Sequence, residues 1–130
     1  MRKLTMLALV LAFLFVPISA QAMTYTQAKR LSVSKVQTII KAEAKKAHLS
    51  KANTAALLWI CRRESNFHPT SKNPSGCYGL FQLSRGMSRY APHGRWWEPS
   101  WNTRRAIKYM KGRYHSPIGA KNFWLRHSWY

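Results

Sequence analysis

The segment of residues 52–66 constrains the fold of this chain most strongly. Its central run, Ala55-Ala56-Leu57-Leu58-Trp59-Ile60, would be apolar on nearly every side of a helix, and a helix of that kind has to be buried. Ser50 is placed to cap its start, and Pro69 ends the helical pattern. We therefore expect the rest of the chain to wrap around this helix.

Two flanking helices are predicted with it. Apolar residues at three- and four-residue spacing over residues 33–48 indicate an amphipathic helix with its lysines on the outer face. Near the other end of the chain, Ser116 followed by Pro117 is a start signal for a last helix that runs to about Arg126.

Between these helices the pattern is less regular. Residues 68–79 read as a turn-rich loop, and a short helical piece is expected around residues 80–83. Residues 84–100 show no period, and Ser100 or Asn102 is predicted to cap a helix to about residue 114. No strand is predicted, so the expected fold class is all-α or mainly α, in one compact domain.

The N-terminus resembles an export signal. Residues 1–22 combine two basic residues, an apolar run and a small-residue cleavage site, Ala20-Gln21-Ala22. The apolar run is short for a membrane anchor, and no second one follows, so no transmembrane segment is expected after removal of the signal. Residues 23–32 are then a loose N-terminal arm, and residues 33–130 form the domain.

The charge of the chain predicts anionic partners. Without Arg2 and Lys3, 20 basic residues face three glutamates and no aspartate, a net charge of +17. Anionic cell-wall polymers and anionic lipid are the abundant polyanions outside a cell. Export argues against nucleic acid, although basic and aromatic residues are interleaved as in single-strand binders. A solvated, non-specific cationic surface remains the alternative.

Cys61 and Cys77 are the only cysteines. In an oxidising compartment a disulfide between them is the default expectation, and two buried free thiols are the alternative. The five histidines show no ligand spacing with these cysteines, so neither a metal site nor a cofactor is predicted.

Glu64 is the carboxylate best placed for chemistry. It lies near the end of the apolar helix and precedes a polar loop. An apolar wall disfavours the charged carboxylate, so the pKa of Glu64 should rise toward the range of a general acid. The alternative is an exposed residue at a helix end, paired with Arg62 or Arg63.

The residues around Glu64 carry a resemblance to a known family. The segments Glu64-Ser65-Asn66-Phe67-His68-Pro69 and Asn73-Pro74-Ser75-Gly76-Cys77-Tyr78-Gly79-Leu80-Phe81-Gln82 resemble the signature of lytic transglycosylases with the goose-type lysozyme-like fold. Cys77 stands where that family usually has Ala. The resemblance covers essentially residues 33–130, but the family's Tyr-Asn-x-Gly element is not present as such.

The resemblance implies roles for several residues. Glu64 would be the catalytic acid and base, and Gln82, Asn73 and Tyr78 would bind substrate in the groove. Gln82 could instead satisfy loop backbone groups, and Asn73 could serve only its turn. Gly79 would allow close approach of backbone and sugar. A Cys61–Cys77 bridge would tie the catalytic helix to the loop that carries Gln82.

The implied reaction is cleavage of the β-1,4 bond between N-acetylmuramic acid and N-acetylglucosamine in peptidoglycan, with formation of a 1,6-anhydro sugar. Composition favours the same route, since hydrolases normally use two carboxylates. Only Glu43 and Glu98 could supply the second. We expect Glu43 to face solvent, and Glu98 lies in the irregular segment.

Aromatic residues often line sugar grooves. We expect Trp59 in the core, and Trp96, Trp97 and Trp101 are the candidates for a groove wall. The expected protein is a monomer, secreted to the cell wall or periplasm.

Three other functions remain open. A lysozyme-type hydrolase would leave reducing ends. A cationic wall-binding or aggregation-promoting protein would not need Glu64, and a cationic membrane-active protein would lose its activity in salt.

Overall fold

The computed structural model describes residues 22–84 and 95–130. This part of the chain forms five helices and one short hairpin: α1 Tyr25–Lys29, α2 Val33–Lys46, α3 Lys51–Ser65, β1 Cys77–Tyr78, β2 Leu83–Ser84, α4 Pro99–Tyr114 and α5 Pro117–His127. The predicted mainly α fold is confirmed. The export signal, predicted over residues 1–22, lies almost wholly outside the described residues, and so do residues 85–94 of the irregular segment.

The cap residues explain where three of the helices begin. The side chains of Ser32, Ser50 and Ser116 each accept a hydrogen bond from the backbone N–H three residues later, which satisfies a donor that the first helical turn leaves free. Consequently α2, α3 and α5 follow their predictions to within about two residues.

The segment predicted as a loose arm is instead partly helical. Thr24 and Gln27 form a capping box at the start of α1, and this reciprocal bonding stabilises a short helix. Ala28 is buried, and the backbone carbonyl of Met23 accepts a hydrogen bond from the indole of Trp97 at 2.9 Å. Local caps and distant aromatic contacts therefore order residues that lack hydrophobic periodicity.

The helical piece predicted at residues 80–83 is wrong. Gly79 and Gln82 have positive φ angles of 77° and 49°, which no right-handed helix contains. The chain turns there and returns as β2, which pairs antiparallel with β1. No strand was predicted from the sequence, so this two-residue pairing is a finding of the structure.

Helix α4 begins earlier than predicted. Glu98 occupies its N-cap position without a side-chain cap bond, and Pro99 is its first residue, where the missing proline N–H costs nothing. Ser100 and Asn102 lie inside the helix. Ile107 and Met110 point inward as predicted, at 4% and 0% exposed.

The core lies between α2, α3, α4 and α5, which pack against one another. Leu57 and Ile60 of α3 are fully buried at its centre. Leu58 and Trp59 are half-buried against the core and Ala55 is exposed, so α3 is not buried on every side. In the described residues no helix has the length and apolar character to cross a membrane.

Candidate active site

Glu64 lies in the last turn of α3, half-buried beside α5. The indole Nε1 of Trp124 donates a hydrogen bond to Glu64 Oε1 at 2.8 Å. Burial raises the pKa of Glu64 above its ordinary value, and the hydrogen bond from Trp124 opposes part of that rise. The site thus favours a carboxyl that can hold a proton closer to neutrality than an exposed glutamate can.

An open cleft of about 460 Å³ lies beside this carboxyl. It is lined by residues from α3, the hairpin region, α4 and the C-terminal segment: Glu64, Asn73, Cys77, Gln82, Ser84, Tyr109, Arg113, Ser128, Trp129 and Tyr130. We call this the Glu64 cleft. It brings together Glu64, Gln82 and Asn73 from the sequence prediction.

Gln82 and Asn73 both also make local hydrogen bonds. The amide nitrogen of Gln82 donates to the backbone carbonyls of Ser71 and Gly79, at 3.2 and 2.9 Å. The side-chain oxygen of Asn73 accepts from the backbone N–H of Cys77 at 3.0 Å. Gln82 therefore binds backbone groups of its loop and Asn73 stabilises its turn, as the alternative interpretations predicted, while both residues also line the cleft.

Tyr78 and Gly79 lie away from the Glu64 cleft. The ring of Tyr78 packs against Trp96, with ring centres 5.1 Å apart, and neither residue lines the cleft. A Cβ on Gly79 would lie 2.7 Å from the backbone oxygen of Trp96. This glycine therefore permits close approach of the hairpin to the start of α4, and the expected approach to sugar is corrected.

Asn102 joins the hairpin to α4. Its side chain is fully buried; the oxygen accepts from the backbone N–H of Phe81 at 3.0 Å, and the nitrogen donates to the carbonyls of Tyr78 and Trp96, each at 3.2 Å. Both N–H donors and the oxygen of one amide thus hold the loop that carries Gln82. The sequence suggested Asn102 only as a helix cap.

The two cysteines are free thiols in the structure, and the Cys61–Cys77 disulfide stays a prediction. Cys61 faces the core, fully buried, with its Sγ 3.8 Å from Ser65 Oγ, and burial raises its pKa to about 12. Cys77 lies on β1 and lines the Glu64 cleft. Spacing along the chain did not reveal that the face of α3 carrying Cys61 is the core face.

The other two glutamates lie outside the cleft. Glu43 is 3% exposed, contrary to the expected solvent-facing position, and it pairs with Lys46 and Arg104 at 3.2 and 3.3 Å. Glu98 is 4% exposed, and it accepts a hydrogen bond from Arg95 at 2.6 Å. Abundant cations allow both carboxylates to be buried as ion pairs.

The described residues contain no cluster of three His, Cys or Glu side chains that could hold a metal ion. The side chains at the cleft are one carboxyl, amides, hydroxyls, a thiol, a guanidinium and aromatic rings. That set suits proton transfer and sugar binding.

The aromatic residues at the cleft are not those predicted. Trp96 and Trp97 pack with Tyr25, with ring centres 6.0 Å apart in both pairs, and Trp101 lines a different cavity. The cleft instead takes Trp129, which is 50% exposed. Tyr109, Arg113 and Tyr130 were also missed. The sequence offered one indication for two of these residues. Tyr109 and Arg113 lie four residues apart and therefore share one face of a predicted helix.

The C-terminal tyrosine anchors the other side of the cleft. Tyr130 is 6% exposed, and its hydroxyl donates to the carbonyl of Phe81 at 2.6 Å. Burial raises the pKa of Tyr130 well above its ordinary value. The hydroxyl therefore stays protonated and keeps the chain end against the loop that carries Gln82.

A model of the family described as Transglycosylase SLT domain matches residues 37–126. Neither the curated proteins nor the solved structures with which the chain was compared gave a match.

Proposed function

Since the chain belongs to the transglycosylase SLT family, we propose that it is a lytic transglycosylase. It would cleave the β-1,4 bond between N-acetylmuramic acid and N-acetylglucosamine, and leave a 1,6-anhydro end on the muramic acid. The family itself assigns the chain to transglycosylase-type action on peptidoglycan, and hence to work outside the cytoplasm. The bond, the product and the role of Glu64 are our proposal.

The observation that carries the proposal is that Glu64 is the single carboxylate side chain among the residues that line the cleft. The chain has three acidic side chains in all, and only Glu64 lines the cleft, because Glu43 and Glu98 are buried in ion pairs elsewhere. Retaining and inverting hydrolases normally place two carboxylates within about 10 Å of each other. A route that needs one carboxylate fits this inventory better than hydrolysis.

In the proposed reaction Glu64 acts twice. The protonated acid first gives its proton to the glycosidic oxygen as the bond from that oxygen to C1 of the muramic acid breaks. The acetamido group of the substrate stabilises the electron-poor C1, as in other substrate-assisted glycosidases. The carboxylate then takes the proton of the C6 hydroxyl as that oxygen bonds to C1, which returns Glu64 to its protonated form.

The surroundings of Glu64 support this double role. Burial favours the protonated acid needed first, whereas the hydrogen bond from Trp124 stabilises the carboxylate needed second. Trp124 binds Oε1 of Glu64, and we propose that the other carboxyl oxygen exchanges the proton with substrate. Trp124 is therefore proposed as a positioning residue.

Substrate contacts are proposed for side chains on both walls. Gln82 and Asn73 would bind sugar polar groups, and Trp129 offers an exposed ring for the apolar face of a sugar. Arg113 lines the same cleft, and its guanidinium would pair with a carboxylate of the stem peptide.

The proposal includes export of the protein through removal of residues 1–22, followed by action as a monomer at the wall. The alternatives are a hydrolase on the same fold and a non-enzymatic cationic protein. A hydrolase would normally need a second carboxylate side chain, and the lining of the cleft supplies only Glu64. An adhesive cationic protein would not need the half-buried Glu64.

Digestion of purified peptidoglycan, with products identified by mass, tests the proposal. The wild type should release anhydro-muropeptides, and Glu64→Gln should release none. Glu98→Gln makes the same chemical change outside the cleft and should remain active. Reducing-end products from the wild type would instead establish a hydrolase, and loss of activity in Glu98→Gln would identify the missing second carboxylate.

A further inference from the structure

A second cavity, of about 560 Å³, lies between α2 and α4. We call it the α2/α4 cavity. Its lining consists of five cations, one glutamate and three residues with apolar surface: Glu43, Lys46, Ala47, Trp101, Arg104, Arg105, Ile107, Lys108 and Lys111. It shares no lining residue with the Glu64 cleft.

The charge of this cavity is only partly compensated. Glu43 forms ion pairs with Lys46 and Arg104, and both cations contact the same oxygen, Oε1. Lys108 and Lys111 are exposed and pair with none of the three glutamates, all of which lie in the described part of the chain. The ammonium group of Lys111 donates a hydrogen bond to the backbone carbonyl of Ala47 at 3.4 Å, which leaves its charge without an anionic partner. The lining therefore carries a net charge of +4.

The cations form a line. Arg104, Lys108 and Lys111 lie at spacings of four and three residues, so they share one face of α4. They extend over about 10 Å along the helix axis, at ~1.5 Å per residue. A single small anion would contact only part of this line, whereas a chain with repeated negative charges could contact all of it.

Apolar surface lies beside the cations. Ala47 and Ile107 belong to the lining together with the ring of Trp101, over which the Arg105 guanidinium lies 5.0 Å from the ring centre. Such contact limits the freedom of the arginine. A ligand with carbon-rich units between its charges would contact both kinds of surface.

We propose that the α2/α4 cavity binds an anionic envelope polymer made of polyol units joined by phosphodiester bonds. The phosphates would contact the row of cations, through the guanidinium fork of Arg104 and the ammonium groups of Lys108 and Lys111. The intervening units would lie against Trp101 and Ile107. Binding would hold the protein at the wall independently of Glu64.

The position of the cavity leaves the catalytic cleft open. Tyr109 and Arg113 of α4 line the Glu64 cleft, and they lie on a different face of the helix from Lys108 and Lys111, since successive residues turn by about 100°. A polymer in the cavity would therefore tether the protein without blocking the cleft.

Binding of the purified protein to synthetic poly(glycerol phosphate) tests the inference at physiological salt. We expect the double variant Lys108→Gln/Lys111→Gln to weaken binding by about tenfold or more, because two phosphate contacts are lost. The variant Lys41→Gln/Lys45→Gln removes the same charge from exposed positions of α2 outside the cavity, and it should weaken binding by no more than about twofold. Glu64→Gln should bind as the wild type does, whether or not the enzyme is active.

Equal weakening by the two double variants would overturn the inference and leave a non-specific cationic surface. Polyglutamate or single-stranded DNA of the same charge provides the second comparison. If either binds as tightly as poly(glycerol phosphate), with the same dependence on Lys108 and Lys111, the assignment to polyol phosphates is wrong. Thermal unfolding of each variant confirms that the lysine changes leave the fold intact.

Discussion

Trp124 of α5 donates its indole N–H to Oε1 of Glu64 at the end of α3, at 2.8 Å. The same indole packs edge-to-face on Trp59, with ring centres 5.2 Å apart, and the Arg63 guanidinium lies 5.7 Å from its ring centre. The orientation of the proposed catalytic carboxyl thus depends on a tryptophan that is 60 residues away in sequence and is itself held by packing.

Replacing Trp124 by Phe should change the pH dependence of activity. In the wild type the hydrogen bond from Trp124 lowers the pKa of Glu64. The variant lacks this bond, so the pKa of Glu64 should rise and the alkaline limb of the kcat/KM profile should move to higher pH. We also expect kcat to fall by about tenfold, because the carboxyl is less well oriented. Trp59→Phe is the control: it alters the same aromatic pair but leaves the N–H of Trp124 in place, and an equal shift in both variants would argue against a positioning role.

Replacing Glu64 by Gln should stabilise the protein near neutral pH while it removes activity. The pKa of Glu64 in the folded protein lies above the ordinary value of 4.5. Between the unfolded-state pKa and the folded-state pKa, the native state therefore binds more protons than the unfolded state. The stability of the wild type consequently falls as the pH rises through that interval. Gln does not titrate. The gain should be largest at about pH 7 and shrink at about pH 4 in urea unfolding; a gain that is the same at both pH values would contradict the raised pKa.

Replacing Asn102 by Ala should destabilise the hairpin that carries Gln82. Phe81 N–H loses its partner in a buried hydrogen bond, and the carbonyls of Tyr78 and Trp96 lose theirs in part-buried ones. The expected loss in free energy of unfolding is about 3 kcal/mol. Asn102→Asp keeps the acceptor for Phe81 N–H but loses both donors. Denaturant unfolding measures the two variants, and a loss below about 1 kcal/mol in the alanine variant would show that water replaces the amide.

Two glycines provide a matched comparison. Both Gly76 and Gly79 have positive φ, but a Cβ on Gly76 would meet nothing within 4 Å, whereas one on Gly79 would lie 2.7 Å from Trp96 O. Gly76→Ala should cost about 1 kcal/mol for the left-handed backbone alone. Gly79→Ala should cost clearly more in the same unfolding experiment, and equal costs would mean that α4 can move away.

The thiols can be distinguished by alkylation of the native protein without reductant. Cys77, half-buried at the cleft, should react with iodoacetamide, while Cys61, fully buried with a pKa of about 12, should react only after unfolding. The adduct on Cys77 should lower activity by obstructing the cleft, and Cys77→Ser should resist this inactivation. Recovery of a Cys61–Cys77 disulfide by mass spectrometry would contradict the free thiols of the structure.

Most of the fold was predictable because its signals are local. Cap residues and hydrophobic periodicity predicted α2, α3 and α5, since both act within a few turns of one helix. The prediction failed where distant groups determine the backbone: Gly79 and Gln82 take left-handed conformations within a hairpin that Asn102 anchors. The prediction also failed at α1, where the only strong local signal for a helix is the capping box between Thr24 and Gln27.

Short-range patterns were enough to predict the helical class, the starts of three helices and the position of Glu64 after the most apolar segment. The packing of the helices was needed to identify the residues that face Glu64. Packing placed Trp124 against Glu64 and placed Tyr109 and Trp129 along the cleft. It also buried Glu43 between cations from two helices. Side chains far apart in sequence meet only when helices pack, and the angle at which they pack depends on the whole core.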